Sequence, residues 1–358
     1  LGEGAKIIYV TPAGAGSKTG ADWANAKAGL YTAGLAASDG DVLYVQEGTY
    51  TSHLAPVAAT KSIGIYGGFT VADGTWATRD NFAHPSIIDA SSNPSVPFIK
   101  PESGVAQIVD GIACTGFTGG VMLANGGTAT VRNCAIYDCG GMVSSHAVDN
   151  CLILNCTGGT GAATDCVFVK VDTSGSITGG DATDCTFTNC SSRNYTIVYG
   201  AATNCTFTNC SSNSYIVSGG ATNCTFTDCS GSNYHGSSTI VSNGATSCTF
   251  TNCSSSSSYS GCYSYIVLGD ATNCTFTDCS SSSYSGDSYI VDGSAEDCTF
   301  TNCSSSSSGN STIVSNGATS CTFTNCSSSS YNSNSYIVYG DATNCTFVRC
   351  VAGRLRYN

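Results

Sequence analysis

Charged residues are scarce in this chain of 358 residues. They make up 10% of it, the formal net charge is −12, and no lysine follows Lys170. Nucleic acid and anionic lipid are bound through basic patches, so the sequence excludes both as partners. A run of 18 or more apolar residues is also lacking, which excludes a membrane-spanning helix.

A visible signal peptide is lacking as well, because no charged segment followed by a short apolar run opens the chain. The small polar residues and the acidic charge are typical of a secreted protein. We therefore expect Leu1 to follow a signal peptide that has been removed, and the protein to be secreted or held at the cell surface.

Serine, threonine, asparagine and glycine fill the second half, a composition that alone would favour disorder. A strict repeat argues against disorder. Counted from the first cysteine of each Cys-x4-Cys pair, Ile lies at −8, Val at −7, Ala at −3, Phe at +2 and the second Cys at +5. The first cysteines of these pairs are Cys185, Cys205, Cys224, Cys248, Cys274, Cys298, Cys321 and Cys345.

The repeats differ in length at one place only. No insertion falls between the Ile and the second Cys, whereas the segment from the second Cys to the next Ile varies. Such a pattern is typical of stacked turns, in which each turn superposes on its neighbours and the loops project from one corner. The variable segments are residues 211–215, 230–239, 254–265, 280–289, 304–312 and 327–336.

Each repeat reads as short strands joined by bends. Alternation in Cys205-Thr206-Phe207-Thr208 predicts Cys and Phe inside and both threonines outside. The Asn or Asp at +4 suits a left-handed corner and predicts a hydrogen-bonded ladder. Since these strands leave no room for crossover helices, the fold predicted is all-β, a single-stranded right-handed parallel β-helix.

The first half repeats less regularly. Residues 41–45, 62–66 and 86–89 are predicted as irregular strands, and residues 21–37 as a short N-terminal capping helix, because Trp23, Leu30 and Leu35 have near-helical spacing. We divide the chain into a cap with irregular first turns, residues 1–110, and regular Cys/Phe turns, residues 111–358. Together they are expected to form one continuous solenoid.

The N-terminal segment resembles that of secreted right-handed parallel β-helix repeat proteins of the pectate-lyase-like superfamily. The Asn-Cys-Thr-Phe-Thr-Asn-Cys repeats are similar to those of the same superfamily and, loosely, to polymorphic outer-membrane proteins. The N-terminal residues that carry the resemblance are Ile8-Tyr9-Val10, Gly20-Ala21-Asp22-Trp23-Ala24-Asn25-Ala26, Gly40-Asp41, Val45, Gly48-Thr49-Tyr50, Gly67-Gly68-Phe69 and Arg79-Asp80.

The resemblance implies a fold and leaves the activity open, because the superfamily includes lyases, hydrolases, adhesins and structural proteins. Its polysaccharide lyases use clustered aspartates for calcium and an arginine or lysine as base. Here the repeats hold only Arg193 and Arg349, far apart, with no lysine. No catalytic residue is therefore assigned, no metal or cofactor is expected, and the protein is predicted not to be an enzyme.

The 23 cysteines allow several interpretations. Their odd number leaves at least one thiol unpaired within the chain. Stacked turns favour buried, reduced ladders, since a spacing of about 4.8 Å exceeds that of a relaxed disulfide. Disulfides across corners are the second possibility and zinc the third. Cys262, alone in a variable segment, is a candidate for an intermolecular disulfide.

Two surfaces could carry function. The outward Thr-x-Thr array, from Thr186/Thr188 to Thr322/Thr324, either orders water as ice-binding solenoids do or is ordinary exposed strand. The variable segments carry a ridge of tyrosines that either binds a ligand or is a solvated fringe. The ridge comprises Tyr195, Tyr215, Tyr234, Tyr259, Tyr263, Tyr284 and Tyr331.

The leading functional hypothesis is a non-enzymatic extracellular scaffold that assembles with itself into a filament or surface layer. Arg349, Arg354 and Arg356 concentrate positive charge in the last turn of an acidic chain, where an acidic face of another copy could dock. A glycan-binding adhesin that uses the tyrosine ridge is the first alternative. A polysaccharide lyase or hydrolase of the pectate-lyase-like kind is the second.

Overall fold

The structure, a computed structural model, describes residues 4–51, 55–70, 75–123, 125–141, 146–234 and 236–354. The chain forms two compact units, Leu1–Val171 and Asp172–Asn358. Every strand pair within each unit is parallel, and helix is nearly absent from the described residues. The predicted fold class, a right-handed parallel β-helix, is confirmed. The predicted division at residue 110 stays a prediction.

The first unit has two parallel sheets. Strands occur near all three positions predicted from the sequence, with bounds that differ by up to three residues. In sheet order, the first sheet contains Lys27–Ala28, Ile7–Thr11, Val42–Gln46, Gly64–Phe69, Ala106–Asp110, Thr128–Arg132, Val148–Asp149 and Ala163–Thr164. The second contains Gly48–Tyr50, Ser86–Asp89, Ile112–Thr115, Ala135–Tyr137, Leu152–Leu154 and Val167–Val169.

The N-terminal helix is shorter than predicted. It spans Gly29–Ala36, contacts the strand Ile7–Thr11 and buries Leu30, whereas Leu35 is 65% exposed. Residues 21–28 are not α-helical. The Asp22 carboxylate accepts the backbone N–H of Asn25 and starts a 3-10 turn at Trp23–Asn25. Lys27–Ala28 then pairs with the strand Ile7–Thr11 as a short strand, so sheet pairing overrides helical propensity there.

The second unit has four parallel sheets, which we name by their residues. The Ala-Thr sheet contains Ala182–Thr183, Ala202–Thr203, Ala221–Thr222, Ala245–Thr246, Ala271–Thr272, Ala295–Glu296, Ala318–Thr319 and Ala342–Thr343. The Thr-Phe-Thr sheet contains Thr186–Thr188, Thr206–Thr208, Thr225–Thr227, Thr249–Thr251, Thr275–Thr277, Thr299–Thr301, Thr322–Thr324 and Thr346–Val348.

The other two sheets of this unit lie between the second Cys of one repeat and the Ile-Val pair of the next. The serine sheet contains Asp172–Thr173, Ser191–Ser192, Ser211–Ser212, Ser230–Asn233, Ser254–Ser257, Ser280–Ser283, Ser304–Ser307, Ser327–Ser330 and Val351–Arg354. The Ile-Val sheet contains Thr196–Val198, Tyr215–Val217, Ser238–Val241, Ser264–Leu268, Ser288–Asp292, Ser311–Val314 and Ser335–Val338.

The interior of the second unit consists of columns of identical side chains. Neighbouring rings from Phe187 to Phe323 stack with centroids 4.8 Å apart, and these phenylalanines are fully buried. The paired cysteines from Cys185 to Cys326 are buried beside them. Burying one such ring contributes about 1.5–3 kcal/mol relative to leaving it exposed. The predicted inward direction of Phe and Cys is confirmed.

The predicted asparagine corners are present. Asn209 and Asn189 have φ of 51° and 54°, and the Asn209 amide donates to the Asn189 side-chain oxygen at 2.7 Å. In the same way, the Asn252 amide donates to the Asp228 carboxylate and the Asn302 amide to the Asp278 carboxylate. Sequence reasoning missed a second left-handed column, at −1, although Asn, Asp or Ser precedes each first cysteine. Its members are Asp184, Asn204, Asn223, Ser247, Asn273, Asp297, Ser320 and Asn344.

The prediction that the variable segments are loops is wrong for their first residues. These residues form the serine sheet, in which alternate serines such as Ser255 and Ser281 are 2% exposed. An all-serine strand has no apolar alternation, so the sequence pattern gave no sign of its buried face. The loops that vary in length lie between the serine sheet and the Ile-Val sheet.

Candidate functional site

The structure separates the predicted tyrosine ridge into two groups. Most members lie in bends outside the strands and are exposed, as a binding ridge requires. Tyr215 instead begins a strand of the Ile-Val sheet and is half-buried. The exposed members are Tyr195, Tyr234, Tyr259, Tyr263, Tyr284 and Tyr331.

Tyr215 belongs to a column of the Ile-Val sheet at position −9 of the repeat, which sequence reasoning did not separate from the loops. Tyrosine and threonine alternate irregularly in this column, and successive members pair in register between neighbouring turns. The column consists of Thr196, Tyr215, Thr239, Tyr265, Tyr289, Thr312 and Tyr336.

Where two tyrosines follow each other, they stack. The rings of Tyr265 and Tyr289 are 5.7 Å apart with an interplanar angle of 6°. The Tyr289 hydroxyl donates to the Asp287 carboxylate at 2.9 Å, which holds the ring in place. Burial and this hydrogen bond raise the pKa of Tyr289 above its usual range, so the phenol keeps its proton at physiological pH.

A cleft opens at one threonine of this column, Thr312. Thr312 is paired with Tyr289 on one side and Tyr336 on the other, and a cleft of about 310 Å³ lies over it. This tyrosine cleft has a volume at the lower end of small-molecule sites. Its lining residues are Tyr289, Asp292, Asn310, Thr312, Ser315, Asn316, Asn334, Tyr336 and Tyr339.

Hydrogen bonds hold the polar groups of the tyrosine cleft in position. The Ser315 hydroxyl donates to Asp292 at 2.7 Å. The Asn310 side-chain oxygen accepts from the Ser333 hydroxyl at 2.6 Å, and the Asn310 backbone N–H donates to Asp287 at 2.6 Å. Fixed acceptors beside aromatic rings allow directional binding with little loss of side-chain entropy.

Exposed groups surround the mouth of the tyrosine cleft. Tyr339 is 58% exposed and packs against Tyr336 with ring centroids 5.1 Å apart. The side chains of Asn316 and Asn334 are exposed beside it. Within the described part of the chain, no lysine or arginine lines the cleft. Aromatic faces, amides and one carboxylate are groups that bind the C–H faces and hydroxyls of a neutral polyol.

The first unit holds a separate aromatic cluster, which includes Tyr9 and Trp23 of the N-terminal family resemblance. Tyr9, Tyr44 and Tyr66 lie in register on neighbouring strands, and Trp23 and Trp76 pack on them from adjoining turns. Trp76 is more than half exposed. The spacing of these residues in sequence did not indicate that they meet.

Beside this cluster lies a buried ion pair. Asp110 accepts hydrogen bonds from Arg79, from Arg132 at 2.6 Å and from Asn133 at 3.0 Å. Burial of the carboxyl opposes its ionisation, but the bonds from Asn133, Arg79 and Arg132 lower its pKa. Arg79 also lies 5.2 Å from the Trp76 ring. Arg79-Asp80 was part of the family resemblance, but sequence reasoning gave Arg79 no partner.

All 23 cysteines are thiols in the structure. The buried ones donate weakly to backbone carbonyls, as Cys205 does to Ala182 and Thr203. Burial raises the pKa of the Cys114 thiol well above its usual range. Cys262 is half-buried in its loop, and its intermolecular disulfide stays a prediction. The reduced state of the ladders in the native protein also stays a prediction.

The histidines in the described part of the chain are bonded to neighbouring groups. His84 bonds Glu47, and His146 accepts the Ala129 N–H while burial lowers its pKa. His53 and His235 lie outside the described residues. Asp184 accepts from the Asn204 amide in a corner column. Among the described residues no three His, Cys, Asp or Glu side chains are grouped to hold a metal ion.

The predicted end-contact arginines are only partly described. Arg349 is exposed, and its φ is 52°, in the left-handed corner column. Arg354 ends the last strand of the serine sheet, and Arg356 lies outside the described residues. In this turn Phe347 is 46% exposed, whereas the seven stacked phenylalanines before it are fully buried.

The threonine array faces outward as predicted. Thr206, Thr225 and Thr249 pair in register on the Thr-Phe-Thr sheet and are exposed. That the threonine array orders water stays a prediction. Among the described residues no helix is long and apolar enough to cross a bilayer.

No family model and no curated protein matches this chain. Solved structures of similar fold include tailspike protein 3 of bacteriophage CBA120, 11% identical with a TM-score of 0.41, where the match covers 96% of this chain and 61% of that one. PfbA, a surface adhesin of Streptococcus pneumoniae, is 8% identical with a TM-score of 0.33 and coverages of 89% and 87%.

A third similar structure is the catalytic unit of a GH87 α-1,3-glucanase from Streptomyces thermodiastaticus, 13% identical with a TM-score of 0.32 and coverages of 100% and 69%. This chain spans about three fifths of the tailspike chain. Likeness at this level does not distinguish among the activities of these proteins.

Proposed function

We propose that this protein is an extracellular, non-enzymatic β-helix that binds carbohydrate through the tyrosine cleft. The observation that carries the proposal is the combination of Tyr289, Tyr336 and Tyr339 with Asp292 and two exposed asparagines in one cleft. Aromatic rings stack on the C–H faces of sugars, and the amides and the carboxylate bond their hydroxyls. The secreted location rests on the acidic, small polar composition.

Glycan-array binding by the purified full chain tests the proposal. We expect the wild-type protein to retain one or more glycans, and Tyr336→Ala and Asp292→Asn to weaken that binding at least tenfold. The matched control is Tyr284→Ala, which removes an exposed tyrosine outside the cleft. Circular dichroism of each variant confirms that the fold is retained.

Three results would contradict the proposal. The wild-type protein could retain no glycan, or the cleft variants could bind as well as wild type. Alternatively, Tyr284→Ala could abolish binding while the cleft variants do not, which would move the site to the exposed ridge. Release of unsaturated or shortened sugars from a bound polysaccharide would contradict the non-enzymatic part and support the lyase or hydrolase alternative.

Self-association is a second candidate. It is supported by Arg349, an exposed basic residue on a chain with a formal charge of −12. Negative-stain electron microscopy and sedimentation velocity of the purified protein test it. We expect filaments or higher oligomers that Arg349→Glu reduces and high salt weakens. Strictly monodisperse wild-type particles would refute it.

A further inference from the structure

We infer that the tyrosine cleft binds one neutral pyranose ring, inserted over Thr312 between the rings of Tyr289 and Tyr336. This inference rests on the proposed carbohydrate binding and names the part of the glycan that the cleft recognises. It follows from the register of the Ile-Val sheet, in which Tyr289, Thr312 and Tyr336 occupy three successive turns.

The gap over Thr312 has a size that the spacing of the turns sets. Neighbouring turns are about 4.8 Å apart, so two tyrosines separated by one turn lie about 9.6 Å apart. An atom-to-atom contact takes about 3.5–4.0 Å, and two such contacts leave roughly 2 Å for the occupant. A puckered saturated ring fits a gap of this size. Threonine at position 312 therefore leaves room for one sugar.

Tyr289 forms one wall of the gap, and its ring is held in place before any ligand binds. Tyr289 is stacked on Tyr265 and bonded to Asp287. On the opposite side Tyr336 is packed against Tyr339. A ring already fixed in its bound orientation loses little entropy on binding, which favours the weak contacts that a sugar face makes.

The same column contains a second threonine between two tyrosines, Thr239 between Tyr215 and Tyr265. Both threonines are buried, but Tyr265 beside Thr239 is only 8% exposed, whereas Tyr289 and Tyr336 beside Thr312 are half-buried. Thr312 has the cleft over it, with the exposed Asn316 and Asn334 at its mouth. A threonine in the column is therefore not enough to give a site, and the surroundings of Thr312 distinguish the two positions.

The charge of the cleft is negative where the structure describes it. Asp292 lines the cleft, and Asp287 is bonded to Tyr289 at its edge. Among the side chains that the structure describes, no basic group lines the cleft to offset these carboxylates. A uronic or sialic acid would bring a third negative charge into a partly desolvated site, so the cleft favours a neutral sugar.

The test uses the full chain and two substitutions that exchange residue types already present in the column. Thr312→Tyr fills the gap with a third stacked ring, and Tyr336→Thr removes one wall. Thr312→Ser is the control, since it keeps the gap. The probes are methyl glycosides of glucose, galactose, mannose and xylose, together with glucuronic and galacturonic acid, followed by saturation-transfer NMR and tyrosine fluorescence.

We expect at least one neutral glycoside to bind the wild-type protein and Thr312→Ser with Kd values within twofold of each other. Thr312→Tyr and Tyr336→Thr should each weaken that binding at least tenfold, and the uronic acids should bind at least tenfold more weakly than the neutral sugar. Unchanged binding by Thr312→Tyr, or uronic acid binding equal to that of the neutral sugars, would overturn the inference.

The failure of this inference is distinguishable from that of the proposed function. If the array shows glycans bound and lost on Tyr336→Ala, but Thr312→Tyr binds as wild type, the single-ring site is wrong and carbohydrate binding stands. If the wild-type protein binds no glycan on the array, both fail. Unfolding curves for Thr312→Tyr and Tyr336→Thr establish that each variant is folded before its binding is compared.

Discussion

The hydroxyl of Ser288 donates a hydrogen bond to the hydroxyl of Ser281, with 2.9 Å between the two oxygens and both side chains buried. Ser281 in turn donates to the carbonyl of Ser264, and Ser305 donates to Ser288. A chain of buried hydroxyls thus joins the serine sheet to the Ile-Val sheet. Buried polar groups stabilise a fold only when they are paired, and these are.

We therefore expect Ser281→Ala to destabilise the second unit by about 1–3 kcal/mol, because Ser288 would lose its acceptor in the interior. Ser282→Ala is the matched control. Ser282 lies on the exposed face of the same strand, and its replacement should change the stability by less than about 0.5 kcal/mol. Urea unfolding of the purified variants measures both, and equal effects would show that burial of alternate serines is unimportant.

The phenylalanine column allows a comparison of one side chain in two environments. Phe250 is fully buried between Phe226 and Phe276, whereas Phe347 is 46% exposed in the same column. Phe250→Ala should cost about 3–5 kcal/mol through lost burial and a cavity. Phe347→Ala should cost about 1 kcal/mol, a value common for partly exposed sites. Denaturant midpoints that fall equally for both variants would contradict the stacked interior.

Asp110 should make the stability of the protein depend on acid pH. Its pKa is lowered in the folded state, so its contribution is present above the unfolded value of about 3.9 and is lost as the pH falls through the folded pKa. At pH 7 we expect Asp110→Asn to cost about 3 kcal/mol, because Arg79 and Arg132 lose their partner.

The measurement for Asp110 is the difference in unfolding midpoint between wild type and Asp110→Asn at several pH values from 7 to 3. This difference should shrink as the pH falls below about 4. Asp149→Asn, at an exposed position of the same unit, serves as the control and should show little difference from wild type. A difference for Asp110→Asn that stays constant over this range would refute the prediction.

Thiol reactivity should distinguish the cysteine columns from the accessible cysteines. In the native protein we expect fast reaction with a disulfide reagent only at Cys262, Cys345 and Cys350, which are half-buried, while the others are buried. Denaturation without a reductant should expose nearly all 23 thiols. Few reactive thiols under denaturing conditions would instead indicate disulfides.

A related pH effect follows from burial of the thiols. The pKa of Cys114 is raised in the folded state, so the unfolded chain loses this proton first as the pH rises. The contribution of Cys114 to stability is therefore complete below the unfolded pKa of about 8.5 and declines above it. Cys114→Ala should reduce the loss of stability between pH 8 and pH 10.

The amino-acid sequence alone was enough to predict the parallel β-helix, the inward direction of Phe and Cys and the asparagine corners. These features repeat at fixed spacing, and a stacked turn can bury only what recurs in register. The sequence also located the length variation correctly, between the second Cys and the next Ile. It missed the serine sheet because a run such as Ser254–Ser257 has no apolar alternation.

Which tyrosines form one site depends on how the turns stack in three dimensions. Tyr289 and Tyr336 are 47 positions apart, and the loops between them differ in length, so their contact with one cleft depends on the register of three turns. The same holds for Asp110, which meets Arg79 and Arg132 because neighbouring strands align. Backbone pairing between turns brings these side chains together, and no local pattern records it.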